Sequence, residues 1–70
     1  MNIDDLNAEI ARCGLSVPKL AKKIGISKKT LYSRMHGNTA FKQPEISGIS
    51  SVLNLDSEKI MNIFFAAKVS

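Results

Sequence analysis

Residues 17–35 read VPKLAKKIGISKKTLYSRM. Leu20, Ala21 and Ile24 recur at the spacing of one helix face, and Leu31 and Met35 do the same further on. Between the two sets stands Gly25-Ile26-Ser27. A glycine just after an apolar-periodic run is suited to the left-handed conformation that ends a helix. A serine just before the next run offers an oxygen to an exposed first-turn N–H. The stretch therefore predicts helices over 17–24 and 28–36 joined by only three residues, and so short a link forces a steep crossing. Ala21 then sits where the second helix presses on the first, and a larger side chain would hold them apart. Ile26 plugs the core beneath the turn, while Leu20, Ile24 and Leu31 bury the inside of the corner.

The same signals extend in both directions. Four hydrophobic residues each precede a cap and are placed to pack on the fifth residue after them: Leu15 on Leu20, Ile26 on Leu31, Phe41 on Ile46 and Leu55 on Ile60. Ser16, Ser27 and Asp56 carry a capping oxygen, whereas Lys42 has none, so the start at residue 43 is the weakest. Pro18 and Pro44 fall in first turns, where a missing N–H breaks no helical bond. Gly14, Gly25 and Gly37 supply stops. Five helices are expected, over 3–13, 17–24, 28–36, 43–53 and 57–67. Their inward stripes add Ile3, Leu6, Ile10 and Cys13; Ile46, Ile49 and Leu53; and Ile60, Ile63, Phe64 and Ala67. No segment alternates with period two, which predicts an all-α fold in one domain spanning residues 1–70.

Seventy residues are close to the smallest size at which one core holds without staples. The 44% apolar content suits a folded chain. Cys13 is the only cysteine, which excludes an internal disulfide and fits the reducing cytosol. The longest fully apolar run, Ile63–Ala67, is far short of the roughly 20 residues of a membrane span. The opening Met-Asn-Ile-Asp-Asp lacks the basic-then-apolar pattern of a secretory signal. A cytoplasmic location and no membrane partner are expected. No Gly-rich phosphate loop, metal-ligand cluster or nucleophile–base pair is visible, so neither catalysis nor a cofactor, metal or small-molecule ligand is expected.

Charge is unevenly placed. Asp4, Asp5 and Glu9 make residues 1–9 acidic. Residues 10–44 hold Arg12, Lys19, Lys22, Lys23, Lys28, Lys29, Arg34 and Lys42 without a single carboxylate. Residues 45–70 return to Glu45, Asp56 and Glu58 against Lys59 and Lys68. A solvated lysine surface accounts for the cations alone. A surface facing a polyanion also accounts for the missing acids, because a carboxylate there would repel phosphate.

A steep helix pair on a three-residue turn, with basic residues on the second helix, is the helix-turn-helix pattern that places Ser27–Arg34 in the major groove of duplex DNA. The chain here resembles the phage Cro/repressor (XRE-type) DNA-binding domains. The resemblance lies in Leu20-Ala21-Lys22-Lys23-Ile24-Gly25-Ile26-Ser27, Thr30-Leu31, Gly37, Ile46, Ile49 and Leu53-Asn54-Leu55, and it covers about residues 4–65. It implies a compact five-helix domain that binds operators as a dimer and acts as a phage or prophage repressor. Two positions depart from the family pattern. Val17 stands where many members have a glutamine reaching toward DNA, so helix 3 is expected to read bases with little help from helix 2. Arg34 replaces a usually apolar residue, which leaves Met35 to anchor the last turn.

With Leu31 and Met35 inward, the opposite face of helix 3 carries Lys28, Lys29, Tyr32, Ser33 and His36. Lys28, Lys29 and Ser33 match the family's base-reading positions, and lysine donates to guanine O6 and N7. Tyr32 is placed to touch a thymine methyl or a phosphate. Ser16, Lys19, Thr30, Arg34, His36, Asn38 and Lys42 form the expected phosphate-contacting set. Once the core face of helix 5 is assigned, Met61, Phe65 and Val69 remain, and a homodimer through that helix is expected. The same fold also serves DNA-binding antitoxins. A protein-interaction module that has lost DNA binding is the remaining alternative, and the acid-free stretch argues against it.

Overall fold

Short range decides the ends of every helix. The computed structural model describes residues 2–65, and among them are five helices and no strand. They are α1 (Ile3–Arg12), α2 (Val17–Ile24), α3 (Lys28–Met35), α4 (Gln43–Leu53) and α5 (Ser57–Phe64). The oxygens of Ser16, Ser27 and Asp56 accept from the backbone N–H groups of Lys19, Thr30 and Lys59 at 3.4, 3.0 and 2.8 Å. Asn2 caps α1 in the same way, accepting from the Asp5 N–H at 3.1 Å. The α4 start, which lacks a capping side chain at Lys42, is closed from inside the helix. The Glu45 carboxylate reaches back to accept from the Lys42 N–H at 2.9 Å.

The turn between α2 and α3 closes as expected. Gly25 adopts φ +81°, and the Ile26 N–H returns to the Ala21 carbonyl at 3.0 Å. A fourth stop needs no glycine: Asn54 takes φ +54° after α4, and the Leu55 N–H bonds to Ser50 O at 2.9 Å. Asparagine is among the few residues that tolerate this conformation.

The core is formed by Leu6, Ile10, Leu20, Ala21, Leu31, Met35, Ile49, Leu53 and Ile63, all buried. Every one belongs to a stripe expected from the sequence. Leu15, Ile26, Phe41 and Leu55 lie half-buried against this cluster, as does Val17. Met35, 5% exposed, anchors the last turn of α3. Helix α2 is the hub, packing on both α3 and α4, while α1 packs on α5. The α2–α4 approach is close because Gly48 has no side chain. A Cβ placed there would meet Cγ2 of Ile24 at 3.2 Å. The Arg12 guanidinium donates to the Leu53 carbonyl at 3.0 Å, tying the end of α1 to the end of α4. Ala67 and Val69, assigned above to the core and to a dimer face, lie outside the described residues. No helix among the described residues is long and apolar enough to cross a membrane.

Candidate nucleic-acid interface

A helix N-terminus carries partial positive charge, which favours acids in the first turn. Helices α1, α4 and α5 follow that preference, with Asp4 and Asp5, Glu45, and Glu58. Helices α2 and α3 have no first-turn acid. Their first turns carry Lys19, and Lys28 with Lys29, against the dipole. This placement costs a little helix stability and concentrates positive potential where α2 and α3 begin.

The cations of residues 10–44 divide by type. Both arginines are paired with carboxylates: Arg12 with Glu9 at 2.7 Å, and Arg34 with Glu45 at 2.7 Å. Glu9 also lies 3.6 Å from Lys59. Among the described residues, no carboxylate comes within ion-pair distance of Lys19, Lys22, Lys23, Lys28, Lys29 or Lys42. All six lysines are exposed. Their charges are therefore uncompensated by the protein, whereas the arginine charges are largely used within it.

On α3, Lys28 and Lys29 are exposed at the first turn. Tyr32, 41% exposed, stacks on exposed His36 with ring centroids 6.1 Å apart. The pair is one helical turn apart, so the stack forms an aromatic ridge continuing from Lys28. Ser33 is half-buried, with its Oγ 3.4 Å from Thr39 Oγ1 in the α3–α4 loop. Thr30 is half-buried beside the cap and accepts from the Ser27 hydroxyl at 2.8 Å. Ser16 and Asn38 are exposed at either end of the helix pair.

Arg34, expected among the phosphate contacts, is engaged within the protein. Its Nε and Nη2 form a two-pronged pair with Glu45 Oε1 and Oε2 at 2.7 and 3.1 Å. Its Nη1 donates to Thr39 Oγ1 at 2.7 Å. Only 13% of the Arg34 side chain and 10% of that of Glu45 is accessible. The fork geometry of a guanidinium is what permits three bonds in one plane. The result is a clamp that joins the end of α3, the following loop and the start of α4. Nothing local in the sequence announces it, since Arg34 and Glu45 lie on different helices. The visible signal was only a single acid bordering an acid-free stretch.

The clamp holds the Glu45 carboxyl below its ordinary value of 4.5. The hydrogen bond from Arg34 is the largest cause, opposed by burial and assisted by the Lys42 N–H. Glu9 is lowered too, first by its bond from Arg12. A carboxyl lowered in the folded state stabilises it fully above the unfolded value and loses that contribution as pH falls through the folded one. Thermal melts are thus expected to be level from neutrality down to about pH 5 and to decline below about pH 4.5. Glu45→Gln should flatten part of that decline while lowering the neutral-pH Tm by about 5 °C. An unchanged acid profile in Glu45→Gln would show that the clamp carries no such coupling.

Among the described residues, no group of three or more His, Cys, Asp or Glu side chains is arranged to hold a metal ion. Comparison with protein-family models, curated proteins and solved structures returns no match.

Proposed function

We propose that this chain is a sequence-specific regulator of transcription that binds double-stranded DNA and places α3 in the major groove. The observation that carries the reading is the set of six exposed lysines without carboxylate partners among the described residues, five of them on a helix-turn-helix whose two helices begin without acids and the sixth, Lys42, at the start of α4. Lys28 and Lys29 donate to base edges at the helix start, with Ser33 and Tyr32 beside them. Ser16, Lys19, Asn38 and Lys42 hold the backbone on either side, and Thr30 and His36 supply flanking donors. Val17 packs inward, so α2 contributes positioning and α3 the reading. The likeness to Cro/repressor domains makes a phage or prophage repressor the specific form of this proposal.

A domain this small gains specificity by pairing across two half-sites about 34 Å apart. Met61 on α5 and Phe65, which caps its end, are 57% and 50% exposed. Such large apolar side chains favour a second copy of the chain as their cover.

The test is the affinity for duplex DNA as a function of salt. If about five phosphates are neutralised, log K should fall against log salt with a slope near −4 to −5. Affinity independent of salt would remove the lysine face from the account.

A further inference from the structure

We infer that Thr39 is a neutral phosphate donor of the DNA interface and that Arg34 is its positioning residue. The inference rests on the DNA-binding reading above and deepens it. A threonine hydroxyl has one proton to give and two lone pairs to fill. One lone pair of Thr39 is filled by Arg34 Nη1 at 2.7 Å, and the Arg34 group is itself locked on Glu45. The only other hydroxyl close to Thr39 among the described residues is Ser33 Oγ, at a long 3.4 Å. Thr39 is exposed, so its proton is available to an acceptor outside the protein. A hydroxyl that accepts from a cation is polarised toward stronger donation. Its place in the chain fits this use. Thr39 stands in the loop between Asn38 and Lys42, beside the end of α3 and within the acid-free stretch.

This arrangement also explains why an arginine so close to the interface is paired with a buried acid. Glu45 cancels the Arg34 charge, and the guanidinium fork fixes the hydroxyl and the loop instead of meeting phosphate. The contact is then uncharged and releases no counterion. Affinity and salt dependence separate the two roles.

The experiment measures binding of Thr39→Val, Arg34→Gln, Arg34→Lys and the Thr39→Val/Arg34→Gln double variant to a mixed-sequence duplex over a range of salt. Thr39→Val leaves the Arg34–Glu45 pair intact, so it reports on the hydroxyl even if the arginine variants lose stability. Thr39→Val is expected to bind about fivefold more weakly with the salt slope unchanged, and Arg34→Gln and Arg34→Lys at least as weakly, since neither holds the hydroxyl in place. The double variant should lose no more than Arg34→Gln alone, because both changes remove one contact. Wild-type affinity in Thr39→Val would overturn the inference. So would additive losses in the double variant. Failure of the unaltered protein to bind the duplex at low salt would overturn the DNA-binding reading and this inference together. Binding by the unaltered protein together with wild-type affinity in Thr39→Val, or with additive losses, overturns this inference alone.

Discussion

Replacing Lys28 and Lys29 together with alanine is expected to weaken duplex binding about 100-fold, roughly a factor of ten for each side chain. Both are exposed at the first turn of α3, without a carboxylate partner among the described residues. Nothing in the fold depends on them. Their removal relieves an unfavourable interaction with the helix dipole, so the double variant should melt at or slightly above the wild-type temperature. Lys59 provides the contrast. It lies on α5 within 3.6 Å of Glu9, and Lys59→Ala should leave DNA affinity within about twofold. Titrating both variants by fluorescence anisotropy at one salt concentration checks the prediction. A loss from Lys59→Ala as large as the loss per lysine of the α3 pair, about tenfold, would mean that net charge, and not the face of α3, drives binding.

The second large effect concerns stability. Leu31 is fully buried on the inner side of α3. Leu31→Ala is expected to cost about 3 kcal/mol, the middle of the range for a leucine truncated in a packed core. A core in so small a domain supplies no more than about 3–5 kcal/mol in all. Much of the Leu31→Ala population should therefore be unfolded at room temperature, with DNA binding reduced in proportion. Leu31→Met, which conserves volume, should cost less than about 1.5 kcal/mol and keep binding. Urea melts followed by circular dichroism distinguish the two. A Leu31→Ala midpoint close to that of the wild type would show that α3 is not anchored through this side chain.

Much of the fold was legible because its determinants are local. Leu20, Ala21 and Ile24 mark a helix face by spacing alone, and Gly25 and Ser27 name the stop and the start on either side. The structure places each in the expected role. What the sequence concealed is of two kinds. Asn2 and Asn54 do the work of a cap and a stop with a residue type that also serves in loops, so neither stands out. Glu45 and Gly48 act across helices, one through Arg34 and the other against Ile24. Such pairings depend on how α2, α3 and α4 cross, which no short-range pattern encodes.

The interface divides along the same line. Exposure of Lys28, Lys29 and Tyr32 follows from the inward stripe on α3, and it is observed. The different fates of arginine and lysine were not visible, because eight cations in an acid-free stretch look equivalent until the two acids at its borders are placed in space. With Arg12 and Arg34 drawn to Glu9 and Glu45, the six lysines of that stretch are left without carboxylate partners among the described residues.

Binding-site selection from randomised duplexes tests the central proposal most directly, since it interrogates DNA binding, base reading and symmetry at once. The expected result is enrichment of a short guanine-containing half-site, repeated with two-fold symmetry about 34 Å apart, and loss of that enrichment in the Lys28/Lys29 double alanine variant. Recovery of no preferred sequence by the unaltered protein would contradict it.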